Sequence, residues 1–169
     1  MKKLLLGLGL LFSVAAFAFD TSALQLSLWA PKVQLVPEYI DISGLKLNLP
    51  YGGNKRVAGV DLGFVSINNS SSSLQVNLFN RNQEDYVGCQ VGLVNMAGTS
   101  SGVNIGLVNF TEGISSGLQI SLFNASLEHR GMQIGLINYC EFLTGMQIGL
   151  CNIVTKSTVP FFPIVNFCF

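Results

Sequence analysis

The chain has 169 residues, a formal net charge of zero and only 11% charged residues. That length suits one domain, and the charged fraction lies far below the roughly 25% of an average soluble domain. Without clustered Lys and Arg the composition argues against a nucleic-acid partner; 18 glycines with 49% hydrophobic residues suit a repetitive β protein or a membrane β-barrel.

Residues 1–18 read as a secretory signal peptide. Lys2 and Lys3 form a positive start, Leu4 to Val14 is an uncharged apolar core, and Ala16-Phe17-Ala18 is a small-x-small cleavage site that predicts a mature start at Phe19. The apolar run is shorter than the roughly 20 residues of a membrane span. Export permits disulfides. Yet Cys89, Cys140, Cys151 and Cys168 show no paired spacing and read as small apolar substitutes in a repeat.

Residues 19–58 form the least regular part, an N-terminal set of strands or cap. Leu24-Gln25-Leu26-Ser27-Leu28-Trp29 alternates, and Gly44-Leu45-Lys46-Leu47-Asn48-Leu49 alternates again as a worn first repeat. From 59 to 169 the chain is a tandem β-repeat domain. An octapeptide recurs at Gly59, Ser73, Gly88, Gly102, Gly117, Gly131 and Gly145, every fourteen or fifteen residues. It reads Gly, apolar, Gln/Asn/Asp, apolar, small, Leu/Phe, apolar and usually Asn; Gly131-Met132-Gln133-Ile134-Gly135-Leu136-Ile137-Asn138 is a clear copy. Linkers such as Asn69-Ser70-Ser71-Ser72 and Ala97-Gly98-Thr99-Ser100 carry turn formers. The last unit is degenerate and ends through Pro160-Phe161-Phe162-Pro163-Ile164-Val165-Asn166.

This Gly-Leu-Gln-Ile-Gly-Leu-Val-Asn pattern resembles the bacterial surface-repeat proteins built from tandem copies of that octapeptide, and the resemblance covers essentially the whole mature chain. It implies an exported cell-envelope protein of uncharacterised function and brings no catalytic residues.

The fold expected is all-β: a repeat β-solenoid with 14–15 residues per coil, the apolar triplet inward, Gln toward water and Asn stacked at a corner. Near-constant linker length favours it. The alternative is a small antiparallel up-and-down β-barrel of the outer membrane, acting as a pore or scaffold. The small fifth position (Gly63, Gly92, Gly106, Ser121, Gly135, Gly149) and the alternating Val165, Phe167 and Phe169 speak for the barrel.

Candidate site residues are few. His129, between Glu128 and Arg130, reads as a surface loop residue because no partners for a triad or a zinc site adjoin it. Asn68, Asn69, Asn109 and Asn124 match Asn-x-Ser/Thr, for Asn109 and Asn124 because the repeat Asn precedes small turn residues, and with a bacterial-type signal no glycosylation is read. Glu84, Asp85 and Glu112 are too scattered for a calcium loop. Trp29 and the aromatics near Phe161 read as caps. No catalytic, cofactor-binding or metal-binding residue is assigned and no cofactor is expected. The sequence suggests a non-enzymatic structural or interaction role at the outer membrane or cell surface, with the periplasm possible and the partner unknown.

Overall fold

The computed structural model describes residues 20–168; the predicted signal peptide and the terminal Phe169 lie outside the described residues. Eight strands form one sheet that winds along an axis in the order β2-β1-β3-β4-β5-β6-β7-β8. They are β1 (Thr21–Trp29), β2 (Val33–Gln34), β3 (Asp41–Val91), β4 (Val94–Ile105), β5 (Val108–Ile120), β6 (Phe123–Ile134), β7 (Ile137–Val154) and β8 (Phe161–Cys168). From β1 through β7, apart from the short β2, successive strands pair in parallel, with equivalent repeat positions side by side: Gly117 lies on Gly131 and Asn124 on Asn138. The protein is therefore a β-solenoid. The alternative of an antiparallel barrel is overturned, because a barrel strand reverses direction at every unit and would set Asn124 far from Asn138.

The coil bends where the octapeptide is smallest, not in the linkers. Strand pairing lapses at Gly92-Leu93, Gly106-Leu107, Ser121-Leu122 and Gly135-Leu136, so strands run from the seventh position of one unit into the next. The linkers are extended and carry the irregularities. Register slips fall at Asn82/Asp85, Ala97/Ser100 and Thr111/Ile114. Each absorbs the extra residue where a fifteen-residue unit stacks on a fourteen-residue one; β6 on β7, with equal spacing, shows no slip.

The inside and outside are the reverse of the expectation. Gln75, Gln90, Gln119, Gln133 and Gln147 are buried, as are Asn80, Asn95, Asn109, Asn124, Asn138 and Asn152. The apolar positions on either side of them face out. Buried amides need partners, and stacking supplies them. In the Asn column Nδ2 donates to Oδ1 of the next coil: Asn80 to Asn95 (2.8 Å), Asn95 to Asn109 (2.9 Å), Asn109 to Asn124 (3.0 Å), Asn124 to Asn138 (2.9 Å) and Asn138 to Asn152 (2.8 Å). The same Nδ2 also donates to a backbone carbonyl of that coil, as Asn138 does to Ile148 (2.9 Å). The Gln column donates the other way along the axis: Gln147 to Gln133 (2.7 Å), Gln133 to Gln119 (2.8 Å) and Gln90 to Gln75 (2.7 Å).

This ladder explains the small fifth position, which had argued for a barrel lumen. A Cβ on Gly135 would sit 2.9 Å from Nδ2 of Asn124 and 3.0 Å from Oδ1 of Asn138. Where the position is not glycine it joins the ladder: Ser121 Oγ donates to Asn124 Oδ1 (2.8 Å) and Asn77 Nδ2 to Asn80 Oδ1 (2.8 Å). The leading glycine has a second reason. Gly117 (φ 111°), Gly131 (φ 130°) and Gly145 (φ 138°) have positive φ, and a Cβ on any of them would lie within 2.2 Å of the carbonyl oxygen of the glycine one coil before.

Antiparallel strands close both ends of the stack. β2 pairs with β1, and β8 pairs with β7 from Gly145↔Cys168 to Ile153↔Phe161. Trp29 packs near Tyr51, ring centroids 6.4 Å apart, at the first end, and Phe161 and Phe162 lie in the closing strand.

Substituting ladder residues tests this arrangement. Asn138→Leu and Gln133→Thr each strip buried partners and should lower stability by about 1–3 kcal/mol. Ile134→Thr, between them but facing out, should stay within about 0.5 kcal/mol. Urea midpoints compare the three; a mild Gln133→Thr would contradict a polar interior. A gain is expected at Asn104, which stands in the Gln column, is too short to continue it, and leaves Oδ1 buried without a partner. Asn104→Gln should join Gln90 to Gln119 and raise stability by about 1 kcal/mol; an unchanged or lower midpoint would refute the continuous column.

Candidate functional site

Among the described residues, Lys, Asp and His side chains enter the interior at two places. The first lies where the Gln column gives way to charge. Lys46 and Asp61 occupy the third position of the first two repeats, and both are fully buried. Their alternation within Leu45-Lys46-Leu47 and Val60-Asp61-Leu62 turns them inward while their apolar neighbours face out. Lys46 Nζ lies 3.8 Å from Asp61 Oδ2 and donates to Ser66 Oγ (3.2 Å) and to Asn68 Oδ1. Asp61 also accepts from Ser66 Oγ (2.6 Å), Asn68 Nδ2 (3.1 Å), Gln75 Nε2 (3.3 Å) and Asn48 Nδ2. Burial pulls the Lys46 ammonium down to about 8, opposed by the charge and hydrogen bonding of Asp61. The pair is enclosed and nearly saturated by its own coil neighbours. Removing one partner of such a pair costs about 3–5 kcal/mol; that is a structural role.

The second place is His129. It is fully buried, not a loop residue at the surface. Strand alternation explains this: Glu128 and Arg130 point out and form an ion pair (2.6 Å), so the residue between them points in. His129 stacks between Ser115 and Leu143 of the adjacent coils, and neither ring nitrogen has a hydrogen-bond partner. Burial pushes its imidazole down to about 4. No carboxylate or hydroxyl is hydrogen-bonded to it, so it lacks the orienting partner that base catalysis requires.

The other residues singled out by sequence are dispersed. Asn109 and Asn124 are ladder residues, and Asn68 belongs to the Asp61 cluster. Glu84 accepts from Ser70 Oγ (3.0 Å) and Asp85 from Thr99 Oγ1 (2.6 Å) on the outer edge; Glu112 is exposed beside them. Cys89, Cys140, Cys151 and Cys168 are free thiols; burial pushes Cys140 up to about 12, and Gln147 Nε2 lies 3.4 Å from its sulfur. No group of three His, Cys, Asp or Glu is placed to hold a metal among the described residues. An open hollow of about 430 Å³ near the N-terminal end, lined by Glu38, Tyr39, Tyr51, Asn54, Lys55 and Gln83 among others, mixes both charges without a convergent set of donors.

The larger organised feature is the exterior. Positions two, four, six, seven and nine of each repeat form apolar columns along the axis. From Val60 to Ile153 the one charge in these columns is Arg81. At the bend the sixth-position column Phe64, Leu78, Leu93, Leu107, Leu122, Leu136 and Leu150 is 44–67% exposed and makes a ridge. The opposite edge carries Glu84, Asp85, Glu112, Glu128, Arg130 and Glu141, a net acidic strip interleaved with exposed Val87, Ile114, Leu127 and Phe142. Compared with protein-family models, curated proteins and solved structures, the chain matches none.

A pH prediction follows for His129. The folded value is below the unfolded one, about 6.5, so the unfolded chain takes up the proton first. Stability is intact above pH 6.5, falls as pH drops toward 4 and then levels, a loss of about 3 kcal/mol at 1.36 kcal/mol per unit. His129→Leu should remove this step. Urea midpoints of the two proteins at pH 7 and pH 4.5 check it: a difference, His129→Leu minus wild type, that does not rise at the lower pH would place the imidazole in contact with water.

Proposed function

We propose that the chain is an exported bacterial cell-envelope repeat protein with a non-enzymatic structural or interaction role at the outer membrane or cell surface. Its octapeptide resembles that of the bacterial surface-repeat proteins, and residues 1–18 carry the pattern of a secretory signal. The observation that supports the reading best is the division of labour between the two faces of the coil. The polar side chains that could do chemistry are spent on one another: amides stack on amides, and Lys46 and Asp61 are enclosed by their neighbours. The apolar columns are left facing out, and exposed contiguous apolar surface marks contact with a protein or membrane partner.

Intact-mass analysis and fractionation test this reading. Material recovered from the envelope should begin at Phe19. Envelope material still beginning at Met1, or protein retained in the cell interior, would refute export by a cleaved signal.

A further inference from the structure

We propose that the apolar exterior is a lipid-contact surface, with the solenoid lying in the plane of a membrane, its leucine ridge in the hydrocarbon and its acidic edge in water. The proposal rests on the envelope reading above and specifies its partner.

Three observations carry it. The first is continuity. The apolar columns wrap around the ridge onto both faces of the coil, from Val103 and Ile105 over Leu107 to Val108 and Phe110, and again one coil on from Leu118 and Ile120 over Leu122 to Phe123. A second rigid copy packed on one face would leave the other in water. Acyl chains, being fluid, cover both.

The second is the backbone at the ridge. A bend exposed to water can leave its N–H groups to solvent, but hydrocarbon tolerates no unpaired group. Here the N–H groups of the bend are paired across coils. Leu93 N donates to Leu78 O (2.9 Å), Leu107 N to Leu93 O (2.9 Å), Leu122 N to Leu107 O (3.1 Å) and Leu136 N to Leu122 O (3.0 Å). The preceding small residue is paired too, as Gly106 N is with Ile120 O (2.9 Å) and Gly135 N with Ile148 O (2.9 Å). The register slips between the β3–β4, β4–β5 and β5–β6 pairs fall in the linkers, toward the acidic edge.

The third is the direction in which charge is distributed. Glu84 and Asp85 lie on one coil, the next coil carries Thr99 opposite Asp85, and Glu112, Glu128 and Glu141 lie on the three coils after it, spread along the axis. With the axis across a bilayer, carboxylates would lie at mid-depth, where ionised side chains are costly. With the axis in the plane, all of them stay in water and the ridge alone goes deep. This is the arrangement of an interfacial protein, built from a sheet instead of an amphipathic helix. The acidic edge offers no attraction to anionic headgroups, so the hydrocarbon is the ligand.

Flotation of the full chain with zwitterionic phosphatidylcholine vesicles, at low and high salt, tests binding. Depth is read by tryptophan quenching with brominated lipid, in a Trp29→Phe background carrying Leu122→Trp at the ridge or Glu112→Trp at the edge. The expected result is flotation at both salt concentrations, several-fold stronger quenching at position 122 than at 112, and loss of flotation in Leu107→Asp/Leu122→Asp/Leu136→Asp with its strand circular dichroism retained. Equal quenching at both positions would mean a spanning orientation and overturn the proposal. So would a discrete dimer in sedimentation that does not float, since a second copy would then cover the ridge, or a folded triple variant that still floats. If the triple variant does not fold, the quenching pair decides. Protein that is exported yet fails to float sinks this inference and leaves the envelope reading standing; protein that floats but is never exported does the reverse.

Discussion

Everything in this fold depends on the stacking of side-chain amides along the solenoid axis. An amide buried alone is destabilising; an amide between two identical ones has a donor on one side and an acceptor on the other. The repeat spacing of fourteen or fifteen residues exists to bring Asn over Asn and Gln over Gln, and the slips in the linkers keep that alignment when the unit length changes. Leading glycines let neighbouring coils approach closely enough for the ladder hydrogen bonds, and the small fifth position makes room for the Asn amide. Apolar side chains, which usually fill a solenoid from within, here mostly face out, with small buried clusters at Val36, Ile40, Ile42 and Val57 and at Cys140, Leu143 and Val154.

That inversion also explains which parts of the structure were legible in the sequence. Periodicity revealed the unit length and the recurring Asn, and the near-constant linkers favoured a parallel stack, while repetition alone left an antiparallel barrel open. Alternation separates two faces but does not say which is inside, and the usual preference for apolar interiors selects the wrong one. Better signals were present. The third position keeps Gln at Gln75, Gln90, Gln119, Gln133 and Gln147, while the fourth drifts through Leu62, Val76, Val91, Ile105 and Ile120. Ladders demand identity and lipid or solvent does not. His129 was misplaced for the same reason: charged neighbours on both sides suggest a surface loop, yet in an extended chain they turn the middle residue inward.

The N-terminal coils follow another solution to the same problem. Lys46 stands where later coils have Gln, and an isolated ammonium in that row would be prohibitive to bury. Asp61, one coil on, supplies the opposite charge, and Ser66, Asn68 and Gln75 surround the carboxylate with donors. The amide column starts on that cluster: Gln75 donates to Asp61 and accepts from Gln90. Sequence gave this cluster little prominence because Lys46 and Asp61 lie fifteen residues apart and meet only when the coil length is known.

The closing strand has a consequence for the size of the particle. A parallel stack of near-identical coils presents, at its last coil, a template on which another molecule could continue the same ladder, as in cross-β fibrils. β8 runs against that direction, and at Pro163 its register with β7 breaks while Ile164 takes a φ of 71°. The outer edge of the molecule is thus a short, kinked strand, of the kind that resists addition of a further strand. Addition of a further coil on this side is disfavoured by the reversed, kinked strand.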